Sequence, residues 1–380
     1  MVKKRQLFAT AVTLTPLPSL PFDLVQEILC RLPVKLLLQF RCVCKSWKSL
    51  ISNPKFSKKH LHMSKASIDR HHIILYTNLI RNSPNLFPWN FQISSLFSAA
   101  VSKSSSGVTQ TQLSFPDLPS NNELYPILKV CSCDGVICFT VNNRLLLWNP
   151  SIRKFNMFPP LKHSGRGRRN PRSLYSIGYD RFTQTYKIVA VSFFKDDTNQ
   201  VCLYTLGTDS WRRIEDLPYS CYISKPGVFA NGTINWLGED ARSSVVISLD
   251  FEKESYQKLL RPNVEANRWT LGVLKDCLCI FAHTDMFVDV WIMNECGNNQ
   301  PWTKLYRVPY MVDRGHHPYG TILYTTEDEQ VLMHFHHDSV HTILVVYDSK
   351  SGTYNMPELQ NIDYWMDSEV YVESLISPCS

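Results

Sequence analysis

No apolar run in this 380-residue chain approaches the ~18 residues that a membrane-crossing helix requires, so helical spans are excluded. Cysteine is too sparse for a disulfide scaffold, at 12 residues or about 3% of the chain. Most cysteines sit inside apolar runs, such as Cys131, Cys133 and Cys138, or Cys277 and Cys279. In such runs a free thiol behaves as a small buried hydrophobe, and a reducing compartment is expected, cytoplasmic and/or nuclear. The chain also lacks a phosphate-cradling P-loop, a nucleophile elbow and a zinc-protease helix motif. No catalytic residue and no cofactor is expected.

Acid is scarce in two places. Residues 1–62 carry eleven Lys/Arg against two Asp/Glu, and residues 151–172 carry seven basic residues and no acid. With a net charge of +7, the remainder is left at −9. A general nucleic-acid binder would spread positive charge over a binding face. Here it is confined to the N-terminal piece and one loop, so nucleic acid is not expected as a partner.

What is present is the composition of a folded globular chain, 44% hydrophobic and 19% charged. The opening "MVKKRQLFATAVTLTPLPSLP" looks superficially like a secretory leader, but Thr10, Thr13, Thr15 and Pro16 break its apolar part. Residues 1–17 are expected to be a disordered tail. "SKSSSGVTQTQ" (Ser102 to Gln112) is low in complexity and expected to be a mobile loop, and "KHSGRGRRNPR" (Lys162 to Arg172) another loop.

From about residue 70 the chain reads as short strands that repeat. One unit is an apolar run, a polar turn and then an aromatic: "LLLWNPSIRKF", "VCLYTLGTDSW", "VVISLDFEKESY", "VDVWIMNECGNNQPW" and "ILVVYDSKSGTY". The closing aromatics Phe155, Trp211, Tyr256, Trp302 and Tyr354 are 56, 45, 46 and 52 residues apart. A hairpin precedes each: "SCDGVICF", "GYDRFTQTYKIVAV", "GVFANGTINWL", "GVLKDCLCIF" and "GTILYTTEDEQVLMHF". Asn231-Gly232 is a tight-hairpin signal. Four-stranded units at this period cannot bury both faces alone, and stacking them radially gives a β-propeller. Six blades are expected, with a β-sandwich as the structural alternative. Residues 71–98 would supply a degenerate blade, and "YVESLISP" (Tyr371 to Pro378) the strand that closes the ring.

Residues 20–53 are helical in pattern. Pro21 and Asp23 suit the start of a helix. Leu24, Val25, Ile28, Leu29 and Leu32 then mark one face. Pro33 ends this helix and lets a second begin at a new angle. The second carries apolar residues on two sides, and a third carries Cys44, Trp47, Leu50 and Ile51 until Asn53-Pro54 stops it. Three helices of this size fall below a self-sufficient core, so part of their apolar surface is expected to meet another protein.

Taken together, "LPFDLVQEILCRLPVKLLLQFRCVCKSWKSLISNPKF" resembles an F-box, through its Leu-Pro start, the Ile-Leu pair, the Leu-Pro between helices and "RCVCKSW". The rest resembles the plant F-box-associated domain of the first type, related to kelch-like propellers. Its landmarks are "CDGVICF", "LWNPSIRKF", "IGYDRFTQTYKIV", "LYTLGTDSWR", "GVFANGTINWL", "LGVLKDCLCIF", "WIMNECG", "WTKL" and "YVESLISP". The implied fold is mainly β: an F-box over residues 18–62 and a substrate-binding propeller over 63–380. The implied function is that of a substrate receptor in a Skp–cullin–F-box ubiquitin ligase, non-catalytic itself. It would bind a Skp-family adaptor and, through it, cullin and a RING protein, and hold an unknown protein target for ubiquitination. A propeller enzyme and a non-degradative scaffold are the alternatives.

Carried over by position, the resemblance gives the adaptor face to Leu20, Pro21, Leu24, Ile28, Leu29, Leu32 and Pro33. Leu38, Val43 and Trp47 would hold the helices together. Arg166, Arg168, Arg169 and Arg172 form a candidate target-contact loop, able to grip acidic groups bidentately. The pairs Cys131/Cys133 and Cys277/Cys279 lack structural-zinc spacing. The group His334, His336, His337 and His341, with His316 and His317, lacks a recognisable ligand pattern. No metal is expected at either, and a surface hairpin is expected at the histidines.

Overall fold

The computed structural model describes residues 20–76, 88–102, 108–113, 128–141, 144–159, 161, 171–194, 198–208, 210–218, 222–239, 244–293, 302–310, 320–336, 342–360, 362 and 367–379. Four helices come first: α1 (Phe22–Cys30), α2 (Val34–Phe40), α3 (Lys45–Ile51) and α4 (Pro54–Lys65). After a 3₁₀ turn at Ile68–Arg70 the chain turns to antiparallel strands, which form six sheets.

Blade 1 contains β1 (His71–Tyr76), β2 (Trp89–Gln92) and β3 (Gln110–Gln112), with helix α5 (Ile93–Ser102) between the last two. Blade 2 contains β4 (Leu128–Cys133), β5 (Val136–Val141), β6 (Arg144–Asn149) and β7 (Lys154–Met157). Blade 3 contains β8 (Arg172–Asp180), β9 (Thr185–Phe193), β10 (Asn199–Thr205) and β11 (Trp211–Arg213). Blade 4 contains β12 (Tyr222–Ile223), β13 (Val228–Ala230), β14 (Thr233–Glu239), β15 (Ser244–Asp250) and β16 (Tyr256–Leu259). Blade 5 contains β17 (Arg268–Leu274), β18 (Cys277–His283), β19 (Phe287–Met293) and β20 (Trp302–Pro309). Blade 6 contains β21 (Thr321–Thr325), β22 (Gln330–His336), β23 (Thr342–Asp348) and β24 (Thr353–Asn355).

The ring is closed by β25 (Asp367–Val372), which pairs with β1 and so supplies the first strand of blade 1 from the far end of the chain. The leading strands of neighbouring blades touch in cyclic order around the axis: β25, β4, β8, β13, β17, β21 and back to β25. The hydrophobic core accordingly falls into six interblade clusters. Blades 2 and 3, for example, share Val136, Cys138 and Leu147 with Ile177, Ile188 and Ala190, all buried. Each strand's alternating side chains thus go to two different interfaces, which is why a blade is complete only between two others.

The local turn chemistry is what the repeat implies. Asn231 and Gly232 both have positive φ, +51° and +84°, the pair of angles a two-residue type I′ hairpin demands. Cys131, Cys133, Cys138 and Cys279 are buried thiols in strands and Cys277 is half-buried.

Three expectations need correction. The closing strand is Asp367–Val372, not Tyr371 to Pro378: residues 373–377 leave the sheet and cross the propeller face as a strap. Residues 71–98, expected to supply a degenerate blade, do give it β1 and β2, but the chain turns helical at Ile93, where α5 starts. Gln110–Gln112, expected in a loop, forms β3 because its backbone pairs with Trp89–Phe91. The expected tail at 1–17, residues 103–107 and residues 162–170 lie outside the described residues.

Closing the ring buries polar groups. Glu369 of β25 borders a small apolar cavity lined by Ile74, Tyr76, Val130, Ile137, Phe139 and Trp148. Desolvation pushes its carboxyl from 4.5 up to about 8, and the nearby Asp367 adds to the shift. Below pH 4.5 the group is protonated whether folded or not. Between 4.5 and about 8 only the unfolded chain ionises, so stability falls by up to about 1.4 kcal/mol per pH unit. Glu369→Gln is therefore expected to melt several degrees above the unsubstituted protein at pH 8 and level with it at pH 4.5. Thermal melts at the two pH values check this, and equal gaps at both would exclude the titration.

Candidate functional site

The four N-terminal helices form a small core of their own. Leu29, Cys30, Leu37, Ile51 and Phe56 are buried together, with Val25, Leu32, Phe40, Trp47, Leu50 and Met63 packed around them. Phe40 and Trp47 meet edge to face at 5.4 Å between centroids. Helix α4 is what completes this core, and its sequence, "PKFSKKHLHMSK", hides the fact. Phe56 and Leu61 are its buried apolar residues, and Ser57, His60 and Ser64 are buried with them. His60 is satisfied by the Leu32 carbonyl, 2.9 Å from its Nε2. Burial lowers the His60 pKa, favouring the neutral ring. The expected seam between residues 62 and 63 falls inside this helix.

The helical unit is fastened to the propeller at the mouth of its channel. Lys65, at the end of α4, bonds Asp134 of the β4–β5 turn at 2.9 Å and Asp276 of the β17–β18 turn at 3.1 Å. Those turns belong to blades 2 and 5, which stand across the ring from each other, so α4 ends over the axis. Desolvation disfavours the Lys65 charge, but the two carboxylates outweigh it and its pKa is raised.

The strap after β25 makes the second fastening. Glu373 accepts the Val34 backbone N–H at the start of α2 (3.1 Å) and the Arg70 guanidinium (2.9 Å). Arg70 also donates to the Arg31 carbonyl at 2.6 Å. Leu375 enters the helical core and Ile376 the core between blades 2 and 3. Asn149, fully buried, donates to the carbonyls of Ser374 and Ile376 at 3.1 and 2.8 Å. Gly135 has φ +81°, and a Cβ there would collide with the Val372 carbonyl and Ser374, so the turn needs glycine where the strap crosses it.

On its outer side the helical unit is unfinished. Leu20, Phe22, Leu24 and Ile28 are between 51 and 60% exposed, and Pro21 is exposed beside them. Half-exposed side chains of this size each have about 1 kcal/mol still to gain from burial. Leu32 and Pro33 are half-buried at the edge of this face. Leu29 does not belong to it: at 1% exposure it is spent inside the helical core, one residue and 100° around the helix from Ile28. Trp47 and Leu38 face inward in part, but Val43 is 62% exposed and turns mostly outward. Phe22 is an exposed apolar residue that the stripe in the sequence did not single out, and Leu36, on one of the two apolar sides of α2, is exposed as well.

Charge around this face is mostly positive, with Asp23 an exposed acid at the start of α1. Lys35, Lys45, Lys48, Lys55, Lys58 and Lys59 are exposed. Glu27, one of two acids here, is neutralised by Lys59 at 2.6 Å and Arg31 at 2.9 Å, which lower its pKa. The arrangement suits an acidic protein surface with an apolar groove.

The candidate target-contact arginines are only partly placed. Arg166, Arg168 and Arg169 lie outside the described residues. Arg172 begins β8, at the end away from α4, and is already engaged within the chain. Its guanidinium donates to the Tyr222 hydroxyl and, at 2.9 Å, to the Ser224 carbonyl, and lies 5.0 Å from the Tyr222 ring centroid. His334, singled out in the histidine group, is buried with Nδ1 2.8 Å from Ser368 Oγ, so it is not part of a surface hairpin. Among the described residues no group of three or more metal-ligating side chains comes together.

Comparison with known proteins bears on both parts. The F-box domain model matches residues 17–59, and the F-box associated beta propeller domain model matches residues 85–378. An F-box/kelch-repeat protein of Arabidopsis thaliana is 29% identical, over 95% of this chain and 96% of its own length. F-box protein CPR1 of the same plant is 24% identical over 95% of this chain and 89% of its own length. Among solved structures, TolB from Acinetobacter baumannii superposes with a TM-score of 0.47 at 10% identity, covering 84% of this chain and 73% of that one.

Proposed function

Because this chain belongs to the F-box-associated β-propeller proteins and carries an F-box ahead of that propeller, we propose that it is the substrate-recognition subunit of a Skp–cullin–F-box ubiquitin ligase. The F-box docks a Skp-family adaptor and, through it, cullin and a RING protein. The propeller holds a protein target. The observation that carries this reading is the uncovered apolar face of Leu20, Phe22, Leu24 and Ile28 on a helical unit whose opposite side is locked to the propeller. A face of that kind on an otherwise completed core needs a partner.

The role is proximity, not chemistry. A rigid link between adaptor and target raises the effective concentration of target lysines at the charged ubiquitin carrier. Ubiquitination and degradation of the target are the outcome this reading assigns. The test is direct: the purified full chain and a purified Skp-family adaptor are mixed and followed by size-exclusion chromatography with light scattering. A stable one-to-one complex is expected. Two separate monomer peaks at micromolar concentration would overturn the reading.

A further inference from the structure

Phe182 is 75% exposed, the most of any large apolar side chain among the described residues. It stands at the tip of the β8–β9 turn, on the propeller face that carries α4. An exposed aromatic on a floppy loop would mean little, but this turn is built to hold it still. Asp180, buried, accepts the backbone N–H groups of Phe182 (2.8 Å) and Thr183 (3.3 Å) and the Thr183 hydroxyl (2.7 Å). The same carboxylate is paired with the buried Lys187 at 2.7 Å. Desolvation opposes the Asp180 charge, and these partners overcome it, holding its pKa below the ordinary range. On the other flank Gln184, at φ +58°, accepts the Tyr179 hydroxyl at 3.0 Å and the Lys58 ammonium at 2.6 Å.

That last bond belongs to α4, and it ties the turn to the helical unit. Helix α4 exposes Lys55, Lys58, Lys59 and His62, a strip without an acid. Lys58 reaches the Phe182 turn at one margin of the strip, and its chain neighbour Lys59 reaches Glu27 of α1 at the other. Glu27 sits between Leu24 and Ile28 in sequence. A chain of contacts therefore runs from α1 through the basic strip of α4 to the Phe182 turn.

We infer that Phe182 is a second anchor for the protein that covers Leu24 and Ile28, an acidic partner with an apolar socket, so that the docking surface runs from the F-box onto blade 3. The inference rests on the adaptor reading and makes the propeller a contributor to adaptor affinity. Aromatics are enriched at the cores of interfaces, and one already held in place loses less freedom on binding.

The experiment measures affinity of the full chain for a purified Skp-family adaptor in four forms: unsubstituted, Phe182→Ser, Leu260→Ser and Leu24→Asp with Ile28→Asp. Leu260 is 72% exposed and lies outside the proposed surface, so it reports general loss of stickiness. Phe182→Ser is expected to weaken binding roughly tenfold, through faster dissociation, with an unchanged melt. Leu260→Ser is expected to bind as the unsubstituted chain does. If Phe182→Ser binds normally while the α1 double variant does not, Phe182 is outside the interface and the inference falls with the adaptor reading intact. Equal weakening by Leu260→Ser would also overturn it. If the α1 double variant binds normally, the adaptor reading itself fails and takes this inference with it.

Discussion

A chain carrying Leu24→Asp and Ile28→Asp is expected to lose adaptor binding by at least about a hundredfold. Both positions are 51% exposed in the free chain, so neither substitution opens a cavity. An acid at position 24, in the first turn of α1, even suits the positive end of that helix. In the complex the situation reverses. Two carboxylates would enter an apolar groove without partners, each at a cost of several kcal/mol, and they would face a surface proposed to be acidic. The melt should shift by no more than about 1 kcal/mol in stability, the loss of helix propensity. Calorimetric titration against the adaptor and a thermal melt, run in parallel, read out the two effects. Leu29→Ala is the contrast. It removes a buried side chain from the helical core and should cost about 2–5 kcal/mol, so its binding defect would arrive with a melting defect. Retained binding by the double variant would place the interface elsewhere.

That contrast marks the limit of what the sequence carries. Leu24, Ile28 and Leu29 all satisfy one helical stripe, and periodicity says only that the stripe is covered. It does not say whether the cover is the chain's own α4 or another protein. Helix α4 itself was illegible because its inward face is half polar: His60 is buried only because the Leu32 carbonyl receives it, and no apolar period signals that. The propeller, by contrast, was legible almost blade by blade, because each hairpin encodes itself locally. Asn231-Gly232 fixes a turn, and alternating side chains fix two interfaces. The closing strand failed for the reason α4 did. "DSEVYV" reads as too polar for a buried strand, whereas Ser368 is buried against His334 and Glu369 is desolvated at the rim of a cavity. The more apolar "ESLISP" beside it looks like a strand, and is instead the strap that carries Leu375 into the helical core.

The strap bears on function because it makes ring closure and F-box placement one structural event. Glu373→Ala is expected to loosen the helical unit while sparing the propeller. The substitution strands two groups at once. Arg70, whose side chain is 12% exposed, keeps the Arg31 carbonyl but loses its only carboxylate partner within the described residues. The Val34 N–H, at the start of α2 in a fully buried residue, loses its acceptor. Breaking a largely buried ion pair from one side costs about 3–5 kcal/mol. The Lys65 clamp and the contacts of Leu61 and Leu375 remain, so the unit stays attached but samples open arrangements more often. Amide exchange in α1 to α3 should accelerate at least about tenfold while strands of blades 3 to 6 keep their protection. Glu373→Gln retains an acceptor for Val34 and should fall between the two. Unchanged exchange in the helices would show that Glu373 is not what holds them. In a reconstituted ligase at saturating adaptor the same variant should modify its target more slowly, because a tether that swings lowers the effective concentration that a fixed one provides. Adding Lys65→Ala, which removes the clamp across blades 2 and 5, should deepen that loss without touching a residue of the exposed α1 face.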